Sequence, residues 1–410
     1  MNIFRSGLRR AAFAVALVPA ALVAPAQAQT VSTTAGNGTV GYSGDGGPAT
    51  SASLSAPIGV DADAAGNRYI ADYTGFRVRK VDPAGTISTV VGTGARGFSG
   101  DGGPASAAAI GYVYDIAADR VGNLYLADYE NQRIRRIAAD GTISTIAGTG
   151  VQGSGGDGGP AVNAQLDYPV GVAVDAGGAV YFTEYGGCRI RKIGVDGTIS
   201  LVAGTTCGYS GDNGPATAAQ ISNPVNLTVD SAGNVLLSEY ISNRIRRIDT
   251  SGVITTIANT GAPGSTGDGG PATVATFTAP WGLATDGAGN LYVSELTGAR
   301  IRRIAPNGIV TTFAGTGVPG YNGDGQAASV TQFTTPAGLA IANGALYVAE
   351  YQPARLRRIA LFTTCAAQGY TGSKLTMCKQ VCEGSATGST LNALIKMYVT
   401  LYKEQPACSR

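Results

Sequence analysis

Three observations predict an all-β chain folded as a six-bladed propeller. An acid–arginine pattern returns six times, tight-turn signals cut each return into short strands, and the composition is glycine-rich. The pattern is clearest in Gly122-Asn123-Leu124-Tyr125-Leu126-Ala127-Asp128-Tyr129-Glu130-Asn131-Gln132-Arg133-Ile134-Arg135-Arg136-Ile137. Its acid falls at Asp72, Asp128, Glu184, Glu239, Glu295 and Glu350, in steps of 56, 56, 55, 56 and 55. Five residues after each acid stands Arg77, Arg133, Arg189, Arg244, Arg300 or Arg355, and two further on Arg79, Arg135, Arg191, Arg246, Arg302 or Arg357. Charged residues make up 14% and glycine supplies 61 of 410, which suits turns and strands better than helices. No strict Gly-X-Y period is present, so the chain is not collagen-like.

Residues 1–28 read as a signal peptide. Arg5, Arg9 and Arg10 form a basic start, Ala11 to Ala24 an apolar run, and Ala26-Gln27-Ala28 a cleavage site. Export to the periplasm or the exterior is the expectation, with no membrane span in the mature chain. Removing those three arginines from the 29 basic residues leaves 26 against 27 acids. Of the 29, 18 belong to the repeated Arg-x-Arg-Lys/Arg triplets, spread evenly round the fold. No basic stripe suits nucleic acid.

Residues 29–362 form the propeller. Val31-Ser32-Thr33-Thr34-Ala35 matches the ends of other repeats, such as Ile87 to Val91 and Ile143 to Ala147, and the last repeat lacks such a segment. The N-terminal strand therefore completes the last blade and closes the ring, which removes free sheet edges. Each blade then reads as four strands. The inner one follows a proline, as in Pro57-Ile58-Gly59-Val60, Pro169-Val170-Gly171-Val172 and Pro280-Trp281-Gly282-Leu283. A turn such as Gly66-Asn67 or Gly122-Asn123 leads to the second strand. The Arg-Ile-Arg run is the third, and a turn such as Asp140-Gly141 leads to the fourth. Blades are joined by Gly-Asp-Gly-Gly-Pro-Ala links, beginning at Gly44, Gly100, Gly156, Gly211 (as Gly-Asp-Asn-Gly-Pro-Ala) and Gly267, with a degraded copy at Gly323. The proline ahead of an Ala-rich stretch predicts one or two helical turns in each link.

Residues 363–410 form a small helical module in which Leu391, Leu394, Ile395, Tyr398, Leu401 and Tyr402 recur at helical spacing. Cys365, Cys378, Cys382 and Cys408 are expected to staple it, in one of three pairings. Cys188 and Cys207 lie in one repeat, where other repeats carry Phe76, Gln132 and Asn243, or Ala95, Val151 and Ala262. The Asp196-Gly197 turn sets them near-opposite on adjacent strands and predicts a disulfide.

From about residue 30 to 360 the repeats, in the form GNLYLADYENQRIRRI and its five relatives, resemble the NHL-repeat family. The long Gly-Asp-Gly-Gly-Pro-Ala links look like those of bacterial extracellular NHL proteins and of the teneurin propeller. The resemblance implies a six-bladed propeller, in most relatives a binding platform for proteins or glycans.

The repeated acid and the arginine five residues on face each other across a short turn, which predicts a salt bridge or bonds to turn amides. Six equivalent copies argue against catalysis, which needs asymmetric roles. The link aspartates are expected to bond their own backbone. Their functional rival is a divalent cation such as calcium, which wants six to eight oxygens where each link offers one carboxylate. Breaks in the repeat are better guides to a site. Asp61 stands where other repeats have Ala117, Ala173, Thr228, Ala284 and Ala340. Tyr114 and Asp115 replace the apolar-Gly pair, Asn226 replaces the glycine, and Trp281 is the only tryptophan. These five are the candidate ligand-binding or metal residues at the channel mouth, with Tyr112 and Tyr168 just ahead of the strand starts.

There is no histidine, so Ser-His-Asp and Cys-His catalysis and His-ligated zinc, as in amidating lyases built on NHL propellers, are excluded. The links lack the Lys-Ser/Thr ending of a phosphate loop. No catalytic residue is assigned. The leading expectation is an exported, non-enzymatic platform for a protein, peptide or glycan of the cell envelope or exterior. The alternative is a metal-assisted lactonase or hydrolase at the channel mouth. Six-bladed lactonases similar to gluconolactonase hold a metal with Glu, Asn and Asp; here Asp115 and Asn226 have no matching Glu.

Overall fold

The computed structural model describes residues 29–361. The expected signal peptide and the expected module with Cys365, Cys378, Cys382 and Cys408 lie outside the described residues. Six antiparallel sheets follow one another along the chain, each a blade. The second blade is typical, with strands Val113–Ala118, Leu124–Asp128, Arg133–Ile137 and Ile143–Ala147 in that order from the channel outward. The last sheet is closed from both ends of the chain. Val31–Ala35 lies against Arg355–Ala360, with Val31 opposite Ile359. A ring joined this way has no exposed inner edge along which to add a foreign strand.

Each blade is covered on both faces by its neighbours, so its second strand is buried along nearly its whole length rather than at alternate positions. All five residues of Leu124–Asp128 are buried. The core therefore sits between blades. One cluster joins Tyr125, Ala127 and Ile134 of the second blade to Val172, Phe182 and Ile193 of the third, with Ala161, Ala164 and Leu166 of the intervening link packed between. The alanine that opens the turn is buried in all six links: Ala49, Ala105, Ala161, Ala216 and Ala272 after a proline, and Ala328 after Ala327 in the degraded copy.

The links hold less helix than the sequence suggests. Each carries three 3-10 residues, such as Ala105–Ala107, and no α-helix occurs among the described residues. The turn ends because the next residue is extended and its N–H closes back onto the first carbonyl, as Ala108 does onto Ala105 at 3.2 Å. Ahead of that turn, the link adds a short rung to the outer strand of the blade that follows. Gly102 donates to the carbonyl of Ile143 at 2.8 Å, and Ile143 donates to that of Gly103 at 3.0 Å. The links thus cover the outer edges of the blades. No described helix is long and apolar enough to cross a membrane.

The arginine that carries the repeat is not the one that stands opposite the acid. Register does place Glu184 across from Arg189, yet the ion pair forms with Arg191 at 3.2 Å. The same displacement occurs at Asp128–Arg135 (3.6 Å), Glu239–Arg246 (3.1 Å), Glu295–Arg302 (3.7 Å) and Glu350–Arg357 (3.1 Å). In the first blade, Asp72 accepts the Ser55 N–H without an ion pair, and Arg79 pairs with its link carboxylate alone while donating to the carbonyls of Ser43 and Ser53. That partner is the link aspartate, which bonds this arginine in all six blades: Asp45, Asp101, Asp157, Asp212, Asp268 and Asp324, at 2.6 to 3.2 Å. The link carboxylate thus serves the guanidinium rather than its own backbone. Residues two apart on a strand share a face, and the inner of the two arginines points its fork into the core between blade and link. All six inner arginines are fully buried.

The outer arginine, five residues after the acid, grips the link from the surface. Arg77 donates to the carbonyl of Thr93 and lies 3.7 Å from the ring centroid of Tyr42. Arg133 does the same with Thr149 and Phe98, and Arg244 with Thr260 and Tyr209. The third blade departs from this. Ser154 replaces the aromatic in the link before it, the link after it is one residue shorter, and Arg189 reaches only the Ser154 carbonyl. There the Cys188–Cys207 disulfide ties turn to link, with Cα atoms 5.1 Å apart. The predicted pairing is present, but the cysteines lie just beyond the ends of strands Arg189–Ile193 and Ile199–Ala203 rather than on them. Because of the shortened link, the counterpart of Cys207 is Arg96 or Gln152, as their shared bridges to Ile221, Ile110 and Leu166 show.

Candidate functional site

The inner strands of the six blades line a channel, and the five candidate residues divide between two levels of it. Asp61, Asp115 and Asn226 line the part toward the strand ends, which encloses about 210 Å³ with Leu283, Ala284 and Leu339 among its other walls. Tyr114 and Trp281 line a separate bowl of about 230 Å³ at the mouth where the inner strands begin.

The three polar residues tie blades together. Asp61 accepts the Ala118 N–H at 2.7 Å, Asp115 accepts the Val172 N–H at 3.1 Å, and Asn226 accepts the Leu283 N–H at 3.0 Å. In each case a side chain of one inner strand takes a donor from the next. Asp115 also accepts from the Asn226 amide at 2.8 Å, which joins the second blade to the fourth past the third. Gly171 of the third blade permits that approach: a Cβ there would come within 2.9 Å of the Asn226 Cα. Burial pushes both carboxyls up. Asp61 rises to about 6, opposed by the N–H groups of Ala118 and Ala62, and Asp115 is held well above its ordinary range, with Asp61 adding to the effect.

Metal chemistry asks for open carboxylate oxygens, and these are used within the protein. No group of three or more His, Cys, Asp or Glu among the described residues is placed to hold an ion. The predicted cluster of five is therefore a polar set inside the channel and an aromatic pair above it, not one ligand shell.

The aromatic pair belongs to a larger group. The bowl is walled by Tyr114, Tyr129, Tyr185, Tyr240 and Trp281, over Val170 and Val225. Tyr114 and Tyr129 meet at 5.0 Å and 62°, and Tyr240 and Trp281 at 5.6 Å and 82°. Further rings extend the wall: Tyr73 stacks on Tyr112 at 4.6 Å, Tyr129 stacks on Tyr168 at 4.8 Å, and the Tyr73 and Tyr114 hydroxyls bond at 3.0 Å. Burial holds the Tyr73, Tyr114 and Tyr129 phenols above their ordinary range, so they stay protonated. At the rim, Arg96 forms an ion pair with Glu130 and lies 4.9 Å from the Tyr112 ring centroid.

Sequence reasoning found Tyr114, Trp281, Tyr112 and Tyr168 but missed Tyr73, Tyr129, Tyr185, Tyr240 and Tyr351. The signal was there: a tyrosine directly follows the acid in five of the six repeats, with Leu296 in the other. Each directly follows the second strand of its blade at the same mouth, so the period brings Tyr129, Tyr185 and Tyr240 to the bowl and sets Tyr73 and Tyr351 6.2 Å apart beside it.

Comparison with known proteins agrees with this architecture. The family described as the teneurin NHL domain matches residues 37–99 and 150–210. Teneurin-3 of Mus musculus is 28% identical over 353 residues, which is 75% of this chain and 12% of that protein. The chain thus spans a small part of the curated relatives it matches. An auxiliary nutrient binding protein from Bacteroides ovatus shares the fold with a TM-score of 0.61 at 17% identity, over 81% of this chain and 76% of its own. A gluconolactonase from Xanthomonas campestris does so with a TM-score of 0.52 at 15% identity, over 84% and 93%. At those identities the likeness extends to the fold alone, which serves binding proteins and enzymes alike. The chain is a six-bladed β-propeller and a distant homologue of the teneurins, similar in part to their NHL domain.

Proposed function

We propose that this propeller is an exported, non-enzymatic binding platform whose protein, peptide or glycan ligand seats at the aromatic mouth of the channel. The observation that carries the reading is the ring of partly exposed tyrosines with Trp281 around one bowl. Aromatic side chains offer large contact area at low entropic cost and are enriched where binding energy concentrates. The Cys188–Cys207 disulfide supports export, since such bonds persist in oxidising compartments. The hydrolase reading draws less support, because Asp115 and Asn226 spend their polar atoms on Val172, Leu283 and each other.

The test is a binding screen of cell-envelope glycans and peptides against the wild type, Trp281→Ala, and a control variant far from the bowl, Val195→Ala. The expectation is a ligand retained by the wild type and the control and lost by Trp281→Ala. A ligand held equally by all three would remove the mouth from the reading, and turnover of a lactone or ester by the wild type would replace it with the hydrolase.

A further inference from the structure

The bowl has a shape and charge that narrow what it takes. We propose that it is an aromatic cage for a small quaternary ammonium group, an inference that rests on the mouth being the ligand site. Three observations carry it. First, the walls are rings inclined to one another, steeply for Tyr114–Tyr129 at 62° and Tyr240–Trp281 at 82° and more gently for Tyr114–Trp281 at 37°. Such walls enclose a compact group on several sides, whereas a sugar ring wants a flat platform to lie upon. Second, the bowl measures about 230 Å³, below the roughly 300 Å³ at which drug-sized ligands begin to fit. It suits one compact head group. Third, none of its seven lining residues is charged. The nearby guanidinium of Arg96 is matched by Glu130 and lies against Tyr112, which does not line the bowl, so no fixed cation competes for the faces of the five bowl rings.

Each ring carries negative charge density on its face, and a quaternary ammonium combines a positive charge with methyl groups that need no hydrogen bond. A primary ammonium fits less well, because its three N–H donors would find only phenol oxygens. In the channel beyond, Asp61 and Asp115 are the carboxyls, and no lysine or arginine lines it. The bowl therefore meets no basic group on its channel side.

The experiment uses choline and its uncharged isostere 3,3-dimethyl-1-butanol, at constant ionic strength, on the wild-type protein. Trp281 is the sole tryptophan, so its fluorescence reports the bowl directly. The expected result is saturable quenching by choline, with the isostere weaker by on the order of tenfold. Tyr240→Leu, which keeps an apolar wall but removes one ring, should weaken choline several-fold and leave the isostere unchanged, with its melt compared with the wild type to establish folding. Isothermal titration of the wild type provides a second measurement that does not depend on the fluorophore. Equal affinity for choline and the isostere, or no choline binding by either method, would overturn the cage. Retention of a glycan or peptide at the mouth, lost in Trp281→Ala, would still leave the binding reading in place.

Discussion

Asp115 accepts a hydrogen bond from Asn226 at 2.8 Å, although the two stand 111 residues apart and on blades that do not adjoin. The bond passes the third blade at Gly171 and makes the channel wall continuous across three blades. Asn226→Ala should cost about 1–3 kcal/mol, because it leaves a buried carboxyl short of a donor and Leu283 short of an acceptor. Urea denaturation measures this. The double variant with Asp115→Ala should show a coupling of at least about 0.5 kcal/mol. Additive losses would mean that the two residues act separately.

The inner arginines should matter far more than the outer ones. Arg191 is fully buried and bonded to Glu184 at 3.2 Å and to Asp157 at 2.9 Å. Arg191→Leu strands two carboxylates and is expected to cost about 3–5 kcal/mol. Arg189→Leu loses a single long bond to Ser154 and should cost about 1 kcal/mol or less. Thermal melts of both variants in one buffer decide the order, and the reverse order would refute this account of the repeat.

Reduction should loosen one link and no other. The Cys188–Cys207 bond closes a separation of 19 residues, for which chain entropy gives about 3 kcal/mol. Cys188→Ala with Cys207→Ala should lower the melt accordingly. In hydrogen exchange, the gain should be confined to the link after the third blade, residues 204–216, where the outer arginine has no grip of its own. Uniform loss of protection in all six links would contradict the local role.

Asp61 gives the fold a pH dependence with a definite sign. Its carboxyl is raised by burial to about 6 from an ordinary value of 3.8, so it stays protonated longer in the folded chain than in the unfolded one. The stability it contributes is complete below about pH 4 and is lost as the pH rises through about 6. The loss caused by Asp61→Ala should therefore be larger at pH 4.5 than at pH 7.5 in urea denaturation. Carbon-detected NMR of the side-chain carboxyl should show titration near 6. A midpoint near 4 would refute it.

Most of the architecture was legible because it depends on spacing. A period of 55 or 56 residues, turns at constant offsets and a strand's worth of repeat at the wrong end of the chain determine blade number, strand order and ring closure. Each follows from local conformation, and local conformation is what sequence encodes most directly. The contacts were another matter. Sequence spacing set Arg133 opposite Asp128, and burial gave the ion pair to Arg135, because a guanidinium in the core must be matched while one at the surface can stack on a ring, as Arg133 does on Phe98. Spacing also marked Asp115, Asn226, Tyr114 and Trp281 as one group. Consecutive residues of a strand point to different sides, so Tyr114 faces the bowl and Asp115 the channel. Five tyrosines that looked like ordinary members of a repeat gathered at one mouth only when six blades were wound about one axis. That convergence is a property of the tertiary structure, since no single repeat contains it.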